Sequence, residues 1–112
     1  MKFNRDHSIS DRDLVQQVLE GKQQAFKLII ERSERIVGQI ICRMIADRHE
    51  WKDAVQETYL KAYRNLGNFQ HSSKLTTWIA TIAYNSCIDY LRKKLTHLDN
   101  LHVLHRSQLF DL

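Results

Sequence analysis

An all-α fold is what this sequence predicts, and three observations carry the prediction. The 112 residues contain no proline. Apolar residues recur at three- and four-residue spacing almost throughout, the period of a helix face. Gly21, Gly38 and Gly67 are the only glycines, so the chain is punctuated into a few long segments. A length of 112 residues suits one domain with one core. The expected architecture is a compact bundle of about four helices, spanning residues 10–95. Residues 1–9 form an N-terminal tail, and residues 96–112 a C-terminal tail or the start of a linker.

The first helix begins at Ser10, with Asp13 three residues on in a capping-box arrangement. Leu14, Val15, Val18 and Leu19 form its apolar face, and Gly21 stops it. The second helix runs from about Lys22 to Ala46. Its face is Phe26, Ile29, Ile30, Ile36, Val37, Ile40, Ile41, Met44 and Ile45. Gly38 inside it costs about 1 kcal/mol relative to alanine, which predicts close approach of another helix there. Asp47 to Glu50 is a brief polar connection.

The third helix runs from about Glu50 to Leu66, with Gly67 as terminator, and turns Trp51, Val55, Tyr59, Ala62 and Leu66 inward. A short polar loop, residues 67–73, is interrupted by Phe69. The fourth helix extends from about Lys74 to Lys94 and buries Leu75, Trp78, Ile79, Ile82, Ala83, Ser86 and Tyr90. Beyond it, Leu95, Leu98, Leu101 and Leu104 recur among histidines in a segment readable as frayed helix or linker.

Composition excludes several classes. No run of about 18 apolar residues is present, so no membrane-spanning helix is expected. The start, Met1-Lys-Phe-Asn-Arg-Asp6, lacks the apolar core of a secretory signal. Cys42 and Cys87 read as reduced core thiols, which fits a cytoplasmic protein. The six histidines have no carboxylate or cysteine partner at motif spacing. His97, His102 and His105 read as a polar tail rather than a metal site. With no nucleophile motif and no glycine-rich phosphate loop, an enzyme is not expected.

The net charge of +4 is unevenly placed. Residues 1–57 carry 10 Lys/Arg and 10 Asp/Glu, whereas residues 58–112 carry 7 and 3. A neutral half joined to a basic half suits a chain that meets protein on one side and phosphate on the other.

Two helix faces carry more than solvent coating. On the third helix, Lys52, Asp53, Gln56, Glu57, Leu60, Lys61 and Arg64 remain outside. Asp53, Gln56 and Leu60 share one stripe, a carboxylate, an amide and a leucine in line. Such a stripe fits a docking surface for another helix, and a plain solvated face has the same composition. On the fourth helix, Lys74, Thr81, Asn85 and Arg92 fall within about 40° of one another. This stripe mixes groups that read base edges with cations that hold phosphate. Thr77, Tyr84 and Ile88 lie beside it, and an exposed tyrosine stacks unpaired bases. Arg92, Lys93 and Lys94 close the helix, where cations also stabilise the helix dipole without any nucleic acid. Trp78, at the edge of the buried arc, reads as a core residue.

The run Asp53-Ala-Val-Gln56-Glu57-Thr-Tyr-Leu60-Lys61-Ala, followed by Trp78-Ile-Ala, resembles bacterial sigma factors of the extracytoplasmic-function (ECF) sigma-70 type. The resemblance covers Asp11 to Lys94 and is to their second conserved region, the promoter-melting domain. It implies a non-enzymatic specificity subunit, with no cofactor, that binds core RNA polymerase and melts the minus-ten promoter element. Asp53, Gln56, Glu57, Leu60, Lys61 and Arg64 would meet the coiled coil of the largest polymerase subunit. The loop Asn68-Phe69-Gln70-His71-Ser72-Ser73 would capture a flipped base of the melted non-template strand. Lys74, Thr77, Thr81, Tyr84, Asn85, Ile88, Arg92, Lys93 and Lys94 would hold the rest of that strand. An anti-sigma factor is a further partner of the kind implied. Trp51-Lys52 and Ala54 stand where many family members have an acidic pair and a leucine or isoleucine. His71 stands near a common family glycine. Family members usually carry a second, helix-turn-helix domain, with no counterpart in these 112 residues. The alternative reading is a helical adaptor module that binds a partner helix and never touches DNA.

Overall fold

A computed structural model describes residues 9–110 of the chain, with side chains through Asn100 apart from Asp99. Expectations for residues 1–8, and for the side chains of Leu101, His102, Leu104 and His105, lie outside that description. Four α-helices follow one another: α1 (Asp11–Leu19), α2 (Gln23–Met44), α3 (Trp51–Asn65) and α4 (Leu75–Phe110). Short 3-10 turns at Arg48–Glu50 and Leu66–Asn68 flank α3. The central helix is α2, which packs on each of the other three, while α3 also packs on α4.

Both ends of α1 fall where the sequence predicts, and of the expected capping box the forward bond is formed. Ser10 Oγ accepts from the Asp13 N–H at 3.1 Å. Gly21 adopts φ 94°. The Gly21 N–H then reaches Val18 O at 2.9 Å and the Lys22 N–H reaches Gln17 O at 3.0 Å. These two bonds satisfy carbonyls that the helix end leaves free. Leu14, Val15 and Val18 are buried, but Leu19 is exposed, one step round the helix from the face.

A row at every fourth residue makes the core face of α2: Ala25, Ile29, Ser33, Val37 and Ile41, continued by Ile45 beyond the helix end. Two expectations fail for the same geometric reason. Cys42 and Ile36 each lie one residue, about 100°, off that row, and both are exposed. Only Cys87 is a core thiol. Among the described residues Gly38 has no helix close against it either: a Cβ added there meets nothing within 4 Å.

Ser33 brings a hydroxyl into the core row and is fully satisfied. It donates to Ile29 O at 2.8 Å and lies 2.8 Å from the Tyr59 hydroxyl, tying α2 to α3. Burial pushes the Tyr59 phenol up, against the lowering effect of the Ser33 bond. Where the chain turns into α3, Trp51 Nε1 donates to Ile45 O at 2.7 Å.

Thr58, Tyr59, Ala62 and Leu66 point into the core, with Trp51 and Val55 half-buried beside them. The helix does not end on a left-handed glycine. Gly21 and His71, not Gly67, are the positive-φ positions among the described residues. Instead α3 tightens into the 3-10 turn, and Phe69 N–H closes on Leu66 O at 3.1 Å. Phe69, drawn from the loop, is itself buried.

Leu75, Ile79, Ala83, Ser86 and Cys87 are the buried positions of α4, with Trp78, Ile82 and Tyr90 partly buried against the core. The helix continues past Lys94 to Phe110. Beyond Gly67 the sequence has neither proline nor glycine to stop it.

Candidate functional site

The exposed side of α3 is a ridge between two clefts. On one flank lies an apolar groove of about 510 Å³ between α2 and α3, lined by Phe26, Ile30, Val55, Tyr59, Leu60 and Tyr63, with Glu34 and Gln56 at its rim. Phe26 meets Tyr63 edge to face, with centroids 5.2 Å apart. On the other flank a polar cleft of about 340 Å³ separates α3 from α4. Glu50, Asp53, Glu57, Lys61, Ser86, Asp89 and Lys93 line it.

The stripe Asp53, Gln56, Leu60 is exposed throughout and runs along this ridge, with Leu60 at 48% exposure. Arg64 is exposed at its far end and Glu57 beside it. Lys61 departs from the expected outward position. Its ammonium group turns into the polar cleft and donates to Ser86 Oγ at 3.1 Å.

The α4 face matches the helical arithmetic. Lys74, Thr77, Thr81, Tyr84, Asn85, Arg92 and Lys94 are all exposed, and Ile88 is half-buried. Lys74 sits just before the first turn rather than within the helix. Tyr84 keeps 51% of its surface open, enough for a ring to stack on a base. Thr81 gives its proton to Thr77 O at 3.0 Å, so its hydroxyl faces solvent as an acceptor. Lys93 lines the polar cleft, and Lys94 lies over the Tyr90 ring at 6.0 Å.

The loop before α4 is built on aromatic packing. Phe69 is its buried floor, with the His71 ring 4.4 Å and the Trp78 ring 5.1 Å from it, centroid to centroid. Trp78 therefore braces the loop from α4 instead of standing clear of it. His71 holds φ 58°, a left-handed backbone that L side chains adopt at a cost of about 1–2 kcal/mol. Asn68, Gln70, Ser72 and Ser73 stay exposed around this floor.

Two residues that sequence reasoning missed hold the loop's exit. Asp11 Oδ2, at the start of α1, accepts from the Leu75 N–H at 3.0 Å and so caps α4 from a distant element. Arg32 Nη1 lies 3.5 Å from the other Asp11 oxygen, and Arg32 Nη2 donates to Ile9 O at 2.8 Å. Nothing in local spacing announces a cap made across 64 residues.

Comparison with known proteins places this architecture. The family model for Sigma-70 region 2 matches residues 29–96. The chain belongs to the Sigma-70 region 2 family. Among curated relatives, it is 37% identical to the RNA polymerase sigma-H factor of Pseudomonas aeruginosa over 81 residues, 72% of this chain and 42% of that protein. It is 38% identical to the ECF RNA polymerase sigma factor SigW of Bacillus subtilis over 80 residues, 71% of this chain and 43% of that protein. The ECF RNA polymerase sigma-E factor of Escherichia coli is 36% identical over 83 residues, 74% of this chain and 43% of that protein. The chain thus spans less than half the length of each of these relatives. The fold is similar to an NMR structure of an engineered region 2 of sigmaE in complex with GTAAAA. That match has a TM-score of 0.71 and 34% identity, covering 81% of this chain and 95% of the other. No helix among the described residues is long and apolar enough to cross a membrane.

Proposed function

We propose that this chain is the promoter-melting region of an ECF sigma factor, a non-enzymatic subunit acting with RNA polymerase in the cytoplasm. The ridge of α3, through Asp53, Gln56 and Leu60 with Glu57 and Arg64 at its margins, docks on a coiled coil of core polymerase. The exposed face of α4 and the loop 68–73 hold the melted non-template strand of the minus-ten element. The observation that carries this reading is the exposed row Lys74, Thr81, Asn85 and Arg92 on a fold whose relative was solved with the strand GTAAAA.

Physical roles follow from residue chemistry. Asn85 offers both a donor and an acceptor to a base edge, whereas Arg92, Lys93 and Lys94 meet phosphate without reading sequence. Tyr84 stacks a base, and Thr77 and Ile88 flank it. Around the buried Phe69, the exposed Asn68, Gln70, Ser72 and Ser73 and the half-buried His71 offer donors and acceptors to the edge of a flipped nucleobase. An anti-sigma factor would find its apolar contact in the groove beside Leu60 and Tyr63.

The test is binding of a labelled GTAAAA strand with and without core polymerase. Tighter binding in the presence of core polymerase is expected. Core binding with no strand binding under either condition would favour the adaptor reading.

A further inference from the structure

One carboxylate on α4 is shared between cations from two helices. Lys61 Nζ, on α3, donates to Ser86 Oγ at 3.1 Å and lies 3.9 Å from Asp89 Oδ2. It also lies 3.8 Å from Glu57 one turn back on its own helix. The other Asp89 oxygen, Oδ1, is 3.9 Å from Arg92 Nη1. Ser86 is only 8% exposed, so its hydroxyl depends on a protein partner. The Arg92 side chain is 73% exposed and can leave Asp89 for a phosphate.

We propose that Lys61 is a positioning residue for strand binding: anchored on Ser86, it occupies Asp89 and so keeps Arg92 available to the strand. The inference rests on the reading that α4 binds single-stranded DNA, and it reassigns Lys61 from the docking face to the α3–α4 seam. The physics is competition for one negative charge. While Lys61 neutralises part of Asp89, Arg92 is loosely held. Without the Lys61 charge, Arg92 is the one cation left within 4 Å of Asp89 among the described residues, with Lys93 further off in the same cleft, and a phosphate must break a stronger pair. Exposed pairs of this kind change an equilibrium by about 1.5- to 5-fold.

The experiment uses the 112-residue chain, with labelled GTAAAA and a scrambled hexanucleotide at several salt concentrations and Escherichia coli core polymerase as the second ligand. Melting curves verify that each variant is folded. Lys61→Met should weaken both strands about two- to fivefold and leave core polymerase binding unchanged. Lys61→Arg, which keeps the charge, should restore the loss. In an Asp89→Asn background, Lys61→Met should have no further effect, because the carboxylate they contest is gone. An equal loss in both backgrounds would reduce Lys61 to a contribution to overall charge and overturn the proposal. So would loss of core binding with strand binding intact, which marks a direct polymerase contact. Arg92→Ala serves as the separate control. If it leaves strand affinity untouched, the strand-binding reading of α4 fails, and the positioning role goes with it. If Arg92→Ala weakens binding while Lys61→Met does not, only the Lys61 proposal is lost.

Discussion

Replacing Asp11 by alanine should loosen the fourth helix from its N-terminal end, although 64 residues separate Asp11 and Leu75 in sequence. Asp11 Oδ2 accepts from the Leu75 N–H at 3.0 Å, a position where a lost side-chain cap costs about 1 kcal/mol. A negative charge at a helix N-terminus adds about 0.3–1 kcal/mol. The pair with Arg32, at 3.5 Å with both side chains partly exposed, adds at most about 1 kcal/mol more. The total is about 1.5–3 kcal/mol. For a domain of this size each 1 kcal/mol moves the melting temperature by about 4–8 °C. Asp11→Ala should therefore lower it by about 6–24 °C. Asp11→Asn keeps an acceptor without the charge and should lose about half as much. Ser10→Ala, removing only the local cap of α1, is the control and should cost about 1 kcal/mol. Circular dichroism melts measure the totals, and hydrogen exchange at the Leu75 amide locates the effect. A loss under about 0.5 kcal/mol, the usual range of a surface substitution, would refute the long-range cap. Unchanged protection at Leu75 would do the same.

Three further outcomes follow from the backbone and the core. Gly38→Ala should stabilise the chain by about 0.5–1 kcal/mol, because the helix gains propensity and the new Cβ meets nothing within 4 Å; a lower melting temperature would mean that the site is crowded. His71→Gly should be more stable than His71→Ala by about 1 kcal/mol, since both lose the imidazole contact with Phe69 and only glycine accepts φ 58° without strain; equal melting temperatures would contradict that backbone. At pH 8 a thiol reagent should modify exposed Cys42 rapidly and Cys87 only as the protein unfolds, because burial both blocks that thiol and pushes its pKa up, leaving less thiolate; two fast phases would refute the burial.

What the sequence revealed and what it withheld follow from the range of the interactions. Helices announce themselves through apolar periodicity, and those of α3 and α4 placed Tyr59, Ala62, Ile79 and Ala83 in the core correctly. The α4 stripe was legible for the same reason, since 100° per residue fixes which side chains share a face. Periodicity has poor angular precision at the margins, and that is where Leu19, Ile36 and Cys42 came out exposed. It also carries no information about which helix lies opposite. The expected neighbour of Gly38 was therefore absent, while Lys61 acquired one in α4. The Asp11 cap and the Phe69 floor come from tertiary packing, which no local pattern encodes.

The central claim, that α4 reads a melted strand, is tested most directly by sequence discrimination in the assembled complex. With core polymerase present, affinities for GTAAAA and for a scrambled strand are measured for wild type, Asn85→Ala and Arg92→Ala. Asn85→Ala should narrow the difference in affinity between the two strands, because an amide pairs with a base edge. Arg92→Ala should weaken both strands about equally and flatten the log–log salt slope by about 0.7, the loss of one single-strand phosphate contact. Equal loss on both strands in Asn85→Ala would take the reading role from it, and no effect from either substitution would contradict strand binding by α4.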